Sequence, residues 1–149
     1  MRQLGLISLV LASITIDGCK NAVPPTAPDA KLVEPGMSQP PAGSGVTGQW
    51  VGVGHSARGS VRFGVQDGVA RLDFSEDFSV SAAPGPFIYV NTTNNANTGR
   101  PLRVSALRSN GGAQSYVFQI PAGVAYTWAL VWCDPFNVPV AEAQISATP

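Results

Sequence analysis

Residues 126–138 read YTWALVWCDPFNV, an apolar run that ends in a turn and leads into a second apolar run. Side chains of an extended strand point alternately to its two faces. This spacing places Trp128 and Trp132 on one face and Val131 and Cys133 on the other. We therefore predict a β-strand that ends or bulges at Pro135.

The same alternation recurs on both sides of this stretch. Alternating apolar residues predict strands at 61–65, 70–74, 102–106 and 116–120. The continuous apolar run 87–90 predicts a strand that is buried on both faces. A last strand is predicted over 136–145, with a bend or an exposed edge at Pro139 and Glu142. Asp67-Gly68 and Asn110-Gly111 are hairpin signals. We expect an all-β domain, an antiparallel sandwich or a barrel-like module.

The composition supports one small domain of this class. The chain has 149 residues, 44% of them hydrophobic and 12% charged, and its 16 Gly and 13 Pro favour turns over long helices. Nine basic residues balance nine acidic ones. Because no basic stripe is present, the sequence predicts no nucleic-acid partner.

The N-terminus has the layout of an export signal. Arg2 precedes a short apolar run, residues 4–16, which ends in Ile16-Asp17-Gly18-Cys19. That ending resembles the lipobox of bacterial lipoproteins, in which the cysteine is acylated, although Asp17 departs from the usual small or apolar residue. An ordinary cleaved signal with an incidental cysteine is the alternative. We predict a signal peptide over residues 1–18 and lipidation at Cys19.

A proline-rich stretch follows the predicted lipidation site. Residues 19–48 carry six of the chain's prolines and no sustained hydrophobic period, which indicates an extended linker. The β domain is then predicted over residues 49–149. We expect a protein of the cell envelope, held by lipid on the periplasmic or extracellular face of a membrane.

Several short motifs follow one another in a recognisable order. They are Gly54-His55 with Gly59, then Gly85-Pro86, then Gly112-x-Gln114-x-Tyr116, and finally Trp132-Cys133-x-x-Phe136-x-Val138 with Ala143. This order resembles the DM13 domain across about residues 50–147. The resemblance implies an extracytoplasmic β-sandwich with an electron-transfer or redox role for its cysteine, Cys133 here. In animals this domain accompanies DOMON-type haem or sugar-binding domains.

Cys133 is the principal candidate functional residue. Once Cys19 is acylated or removed, Cys133 has no intramolecular partner. It is then a redox thiol, a ligand for a metal or haem iron carried by a partner, or a small buried apolar residue. His55, the only histidine, could activate the thiol or join it as a metal ligand if the two lie close together. Asp134 follows Cys133, and its carboxylate would disfavour the reactive thiolate.

The sequence identifies no cofactor and no hydrolase or haem-attachment motif. The aromatic residues Tyr116, Phe118, Trp128, Trp132 and Phe136 form either an electron-relay surface or part of the core. Two functions stay open. One is an electron-transfer accessory that uses Cys133 with a redox partner protein, and the other is a non-catalytic envelope binding or adhesion module with a structural cysteine. Neither requires an autonomous enzyme.

Overall fold

The computed structural model describes residues 22–146. The predicted signal peptide and Cys19 lie outside the described residues. The strands are β1 (Val46–Gln49), β2 (Val51–Gly52), β3 (Ala57–Arg58), β4 (Ser60–Gln66), β5 (Val69–Phe74), β6 (Ser79–Val80), β7 (Pro86–Asn91), β8 (Leu102–Ala106), β9 (Gln114–Gln119), β10 (Trp128–Cys133) and β11 (Val138–Gln144), with a 3₁₀ helix at Asp134–Phe136. Over this part of the chain, no helix has the length and apolar character needed to cross a membrane.

Two antiparallel sheets form the body of the domain. One sheet has the strand order β1-β4-β5-β9 and the other has the order β2-β11-β10-β7-β8, while β3 and β6 form a small separate ribbon. Apolar side chains of both sheets build one shared core. The predicted all-β fold is confirmed, in its sandwich form.

The chain passes from one sheet to the other at Trp50. This residue lies between β1 and β2, is buried, and packs against Phe74 and Phe78 with ring centroids 5.0 and 5.7 Å apart. Phe74 in turn packs against Tyr116 at 5.5 Å. Aromatic contacts therefore fill the space where the two sheets meet.

The two hairpin signals have different outcomes. Asp67 and Gly68 both have positive φ, 49° and 79°, and they join β4 to β5 as predicted. Asn110-Gly111 does not close a hairpin, because β8 pairs with β7 whereas β9 pairs with β5 in the other sheet. The prediction was wrong because local alternation does not show which strand a segment will pair with.

The last strand lies inside its sheet rather than at an edge. β11 pairs with β10 on one side and with β2 on the other. The predicted irregularity at Pro139 is present, since Trp132 is opposite Pro139 and Val131 is opposite Ala141, which leaves Val140 as an extra residue. Proline is tolerated here because a bulge interrupts the ladder of hydrogen bonds.

A smaller apolar cluster lies on the outer face of the five-stranded sheet. Tyr89, Leu130 and Trp132 are buried there beneath Ala96. Ala96 belongs to the loop 92–100, which is held in place by Asn91, whose amide nitrogen donates to the carbonyls of Asn95 and Thr98. The loop 92–100 explains why both faces of β10 are buried.

The predicted linker contains structure that belongs to the domain. β1 begins at Val46, and residues 25–32, here called the strap, lie against the sandwich. The Ala30 amide donates to the Arg103 carbonyl at 2.7 Å, and the Gln119 amide donates to the Lys31 carbonyl at 3.0 Å. The strap thus joins β8 to β9, so part of the predicted linker packs against the β domain.

Candidate functional site at the Cys133 thiol

Cys133 is the last residue of β10, at one end of the sandwich. It lies between Pro86 of β7 and Val138 of β11, and its side chain is part of the shared core with an exposed fraction of 1%. It is a free thiol. We call this end of the molecule the Cys133 pole.

A single stretch of backbone covers the thiol. The Cys133 thiol donates a hydrogen bond to the Pro84 carbonyl at 2.9 Å, and both Pro84 and Gly85 are exposed. We call residues 81–86 the cover segment. A second hydrogen bond holds this segment, because the Asp134 amide donates to the Gly85 carbonyl. The sulfur is therefore buried, and its hydrogen-bond acceptor belongs to an exposed segment.

Asp134 does not face the thiol. Its carboxylate accepts a hydrogen bond from the Tyr89 hydroxyl and another from the Arg103 guanidinium, both at 2.7 Å. Tyr89 lies in the outer cluster and Cys133 in the shared core. The Asp134 carboxylate and the Cys133 thiol thus have separate partners, the first in the outer cluster and the second in the shared core.

The Asp134 carboxylate is the centre of a charged network. Arg103 also donates to Asp29 of the strap at 3.1 Å and lies 3.4 Å above the centre of the Phe87 ring. Burial, together with the hydrogen bond to Asp134, raises the pKa of Tyr89 well above its ordinary value. Burial alone would lower the pKa of Arg103, but its bonds to Asp134 and Asp29 raise it. At neutral pH the tyrosine of this network is therefore neutral and its guanidinium is charged.

His55 lies at the Cys133 pole but does not bond to the thiol. It is half-buried in the turn between β2 and β3, and its Nδ1 atom is 3.2 Å from the Ser81 hydroxyl. The Ser81 amide donates to the Ser56 carbonyl. His55 therefore contacts the start of the cover segment, three residues before Pro84, whose carbonyl accepts the hydrogen bond from the thiol.

The predicted aromatic set is divided between two regions. Tyr116 and Phe118 lie in the shared core, whereas Trp128 and Trp132 belong to the outer cluster, and Phe136 is 52% exposed. These five side chains do not form one electron-relay surface. Among residues 22–146, no group of three or more His, Cys, Asp or Glu residues could hold a metal ion.

Sequence reasoning missed the Tyr89–Asp134–Arg103 network. A usable signal was present, since Tyr89 lies in an apolar run predicted to be buried on both faces, and a buried tyrosine hydroxyl needs a partner. Which charged residue would meet it depends on the pairing of β7, β8 and β10, and the sequence did not show that pairing.

Residues 50–145 match the family model described as Electron transfer DM13. The chain belongs to the DM13 family. No curated protein and no solved structure matches the chain. Within the DM13 domain the final motif of the sequence occupies the Cys133 pole, where it provides the thiol, the buried Asp134 and the exposed Phe136.

Proposed function

We propose that this DM13 protein is an exported, lipid-anchored electron-transfer protein of the cell envelope, and that Cys133 is its redox group. The family match over residues 50–145 is the observation that carries the electron-transfer role. The lipobox-like sequence at Cys19 supports the anchor. Cys133 is the only thiol in residues 22–146, and its bond to the carbonyl of the exposed Pro84 supports its role.

The proposed step is thiol–disulfide exchange with a partner that carries a disulfide. The Cys133 sulfur attacks one sulfur of the partner disulfide, the partner's S–S bond breaks, and a new S–S bond joins Cys133 to the partner. The proton of the Cys133 thiol ends on the released partner thiol. A second thiol then attacks the partner's sulfur in this mixed disulfide, so that the S–S bond to Cys133 breaks and one between the partner and the second thiol forms. The proton of the second thiol ends on Cys133, which is restored.

The covering backbone must open before this exchange. While the Cys133 thiol donates to the Pro84 carbonyl, no partner sulfur can reach it. Local opening of a short, exposed segment costs less free energy than global unfolding. His55 is a positioning residue in this scheme, because its contact with Ser81 holds one end of the cover segment.

The alkylation rate of Cys133 tests this proposal. We expect iodoacetamide to label the folded chain more slowly than the denatured chain, yet at least tenfold faster than the chain unfolds globally. Intact mass follows the label, and pulse proteolysis gives the rate of global unfolding. His55→Ala should speed the labelling several-fold. Labelling no faster than global unfolding would contradict a thiol that opens locally.

The second candidate is a non-catalytic envelope binding or adhesion module with a structural cysteine. The 1% exposure of Cys133 and its hydrogen bond favour this alternative, because free cysteine often packs as a small apolar residue. It predicts that Cys133→Ser lowers the free energy of unfolding by about 1–3 kcal/mol. It also predicts labelling only by global unfolding, which separates it from the redox proposal.

A further inference from the structure

The strap determines where the N-terminal part of the chain meets the sandwich. Pro25 is buried, and Ala27 packs against the outer apolar cluster. Pro24 and Pro25 line one cavity of about 410 Å³ together with Gly85 of the cover segment and Pro135 of the 3₁₀ helix. The chain therefore arrives at the domain beside the cover of the Cys133 thiol.

The distance from this point to Cys19 is short. Pro24 is five residue steps from Cys19, with four residues between them. Since a chain extends by at most about 3.3–3.6 Å per residue, the two lie no more than about 18 Å apart. This step rests on the proposed function, which takes Cys19 as the lipid anchor. An anchor at Cys19 would hold the Cys133 pole within that distance of the membrane.

The surface at this pole is apolar beside the five-stranded sheet. Phe136 is 52% exposed and Val138 is 42% exposed, and Pro84 and Pro135 are exposed beside them. Neither 82–87 nor 135–139 contains a charged residue. Exposed apolar groups that cluster with prolines and without charge are typical of a contact surface.

The charges nearest this surface nearly balance. Asp29, Arg103 and Asp134 line the same cavity as Gly85, and Arg103 pairs with both carboxylates. The loops at the same end of the four-stranded sheet add Glu76 and Asp77, and the neighbouring segments add Arg58 and Arg108. Four acidic and three basic groups leave one net negative formal charge, which gives no attraction for an anionic partner and little for a cationic one. The apolar side chains must then provide the contact energy.

We propose that the Cys133 pole rests on the lipid bilayer, with Phe136 and Val138 in the interfacial layer. Two partly exposed side chains bury too little area to bind a membrane by themselves. The anchor supplies the missing affinity, because a short tether makes the contact intramolecular and raises its effective concentration. The Cys133 thiol would then face the membrane, and its redox partner would be membrane-associated.

Hydrogen–deuterium exchange on vesicles tests this orientation. The chain from Cys19 onward is coupled through the Cys19 thiol to a maleimide lipid in phosphatidylcholine vesicles, and intact mass verifies one coupling per chain. We expect the amides of Ala82, Ala83 and Gly85 and those of residues 136–138 to exchange at least fivefold more slowly than in the uncoupled chain. Amides of the β4–β5 hairpin, which lies at the opposite end of the sandwich, should be unchanged.

Phe136→Asp should abolish this protection. Val65→Asp is the matched control, because Val65 is 51% exposed and lies near the β4–β5 hairpin; it should leave the protection intact. The proposal would be overturned by slower exchange at both the Cys133 pole and the β4–β5 hairpin, or at neither of them. It would also be overturned if Phe136→Asp were protected as strongly as the unaltered chain. Chemical coupling makes the result independent of natural acylation and of electron transfer, so its failure is distinguishable from failure of the proposed function.

Discussion

At the scale of single residues, the neighbours Cys133 and Asp134 bond to different partners on opposite faces of the sheet. The thiol enters the shared core and bonds to the Pro84 carbonyl, while the carboxylate enters the outer cluster and bonds to Tyr89 and Arg103. Each side chain is thereby satisfied by its own partners. The carboxylate holds the end of β10 in place without touching the sulfur.

Asp134→Ala should destabilise the domain strongly. It leaves the guanidinium of Arg103 and the buried hydroxyl of Tyr89 without their acceptor, which costs about 2–4 kcal/mol of unfolding free energy. Asp29→Ala removes the other acceptor of Arg103, but the Asp29 side chain is 76% exposed, so its loss should cost less than about 1 kcal/mol. Urea denaturation measures both values. Equal losses of unfolding free energy would contradict a larger stabilising role for Asp134 than for Asp29.

Gly85→Ala should expose the thiol. Gly85 has a φ of +53°, and a Cβ atom there would lie 3.0 Å from the ring carbons of Pro135, so the cover segment has to move. We expect Cys133 to be alkylated several-fold faster. Gly123→Ala is the control for backbone strain, because Gly123 has a φ of +73° with no atom within 4 Å of the added carbon. Equal labelling rates in the two variants would show that Gly85 does not shape the cover.

At the scale of elements, the strap closes the open side between β8 and β9. A chain that begins at residue 34 lacks it, whereas a chain that begins at residue 22 retains it. The amides of Arg103 and Gln119, which donate to the Pro28 and Lys31 carbonyls, should lose their protection from hydrogen exchange in the shorter chain. We also expect a loss of about 1–3 kcal/mol in unfolding free energy. Unchanged protection of these two amides would contradict the role of the strap.

The elements differ in how far the sequence reveals them. Alternation is local, so β4, β5, β9 and the Asp67-Gly68 turn could be predicted, and so could the buried run at β7. Pairing is not local, so the sequence could not show that β8 and β9 belong to different sheets. The strap was missed because it carries no periodic signal and is held by backbone bonds of Pro28, Ala30 and Lys31 to β8 and β9.

The parts of the candidate site also differ in how far the sequence reveals them. Cys133 was found because its motif is contiguous in the chain. The contact between His55 and Ser81, and the network of Tyr89, Asp134 and Arg103, join residues far apart in sequence. The covering of the thiol by Pro84 likewise depends on the position of β7 beside β10.

At the scale of the whole molecule, buried tyrosines should make the fold sensitive to alkali. Burial raises the pKa of Tyr89, Tyr116 and Tyr126 above the ordinary value. Above about pH 10 the unfolded chain loses these phenolic protons while the folded chain keeps them, so the unfolding free energy falls as pH rises. Urea denaturation at pH 8, 10 and 11 should show this decrease, and Tyr89→Phe should make it shallower. If Tyr89→Phe left the pH dependence of the unfolding free energy unchanged, Tyr89 would not be one of the groups that cause it.

The central claim is that Cys133 exchanges electrons reversibly while the protein stays folded. Its most direct test is equilibration of the chain, starting after Cys19, in glutathione redox buffers of stepped ratio, with intact mass counting the mixed disulfide. We expect one glutathione per folded chain, full reversal by reduced glutathione, unchanged far-ultraviolet circular dichroism throughout, and no adduct in Cys133→Ala. An adduct that forms only when the chain unfolds would contradict the redox role and leave Cys133 as a structural residue.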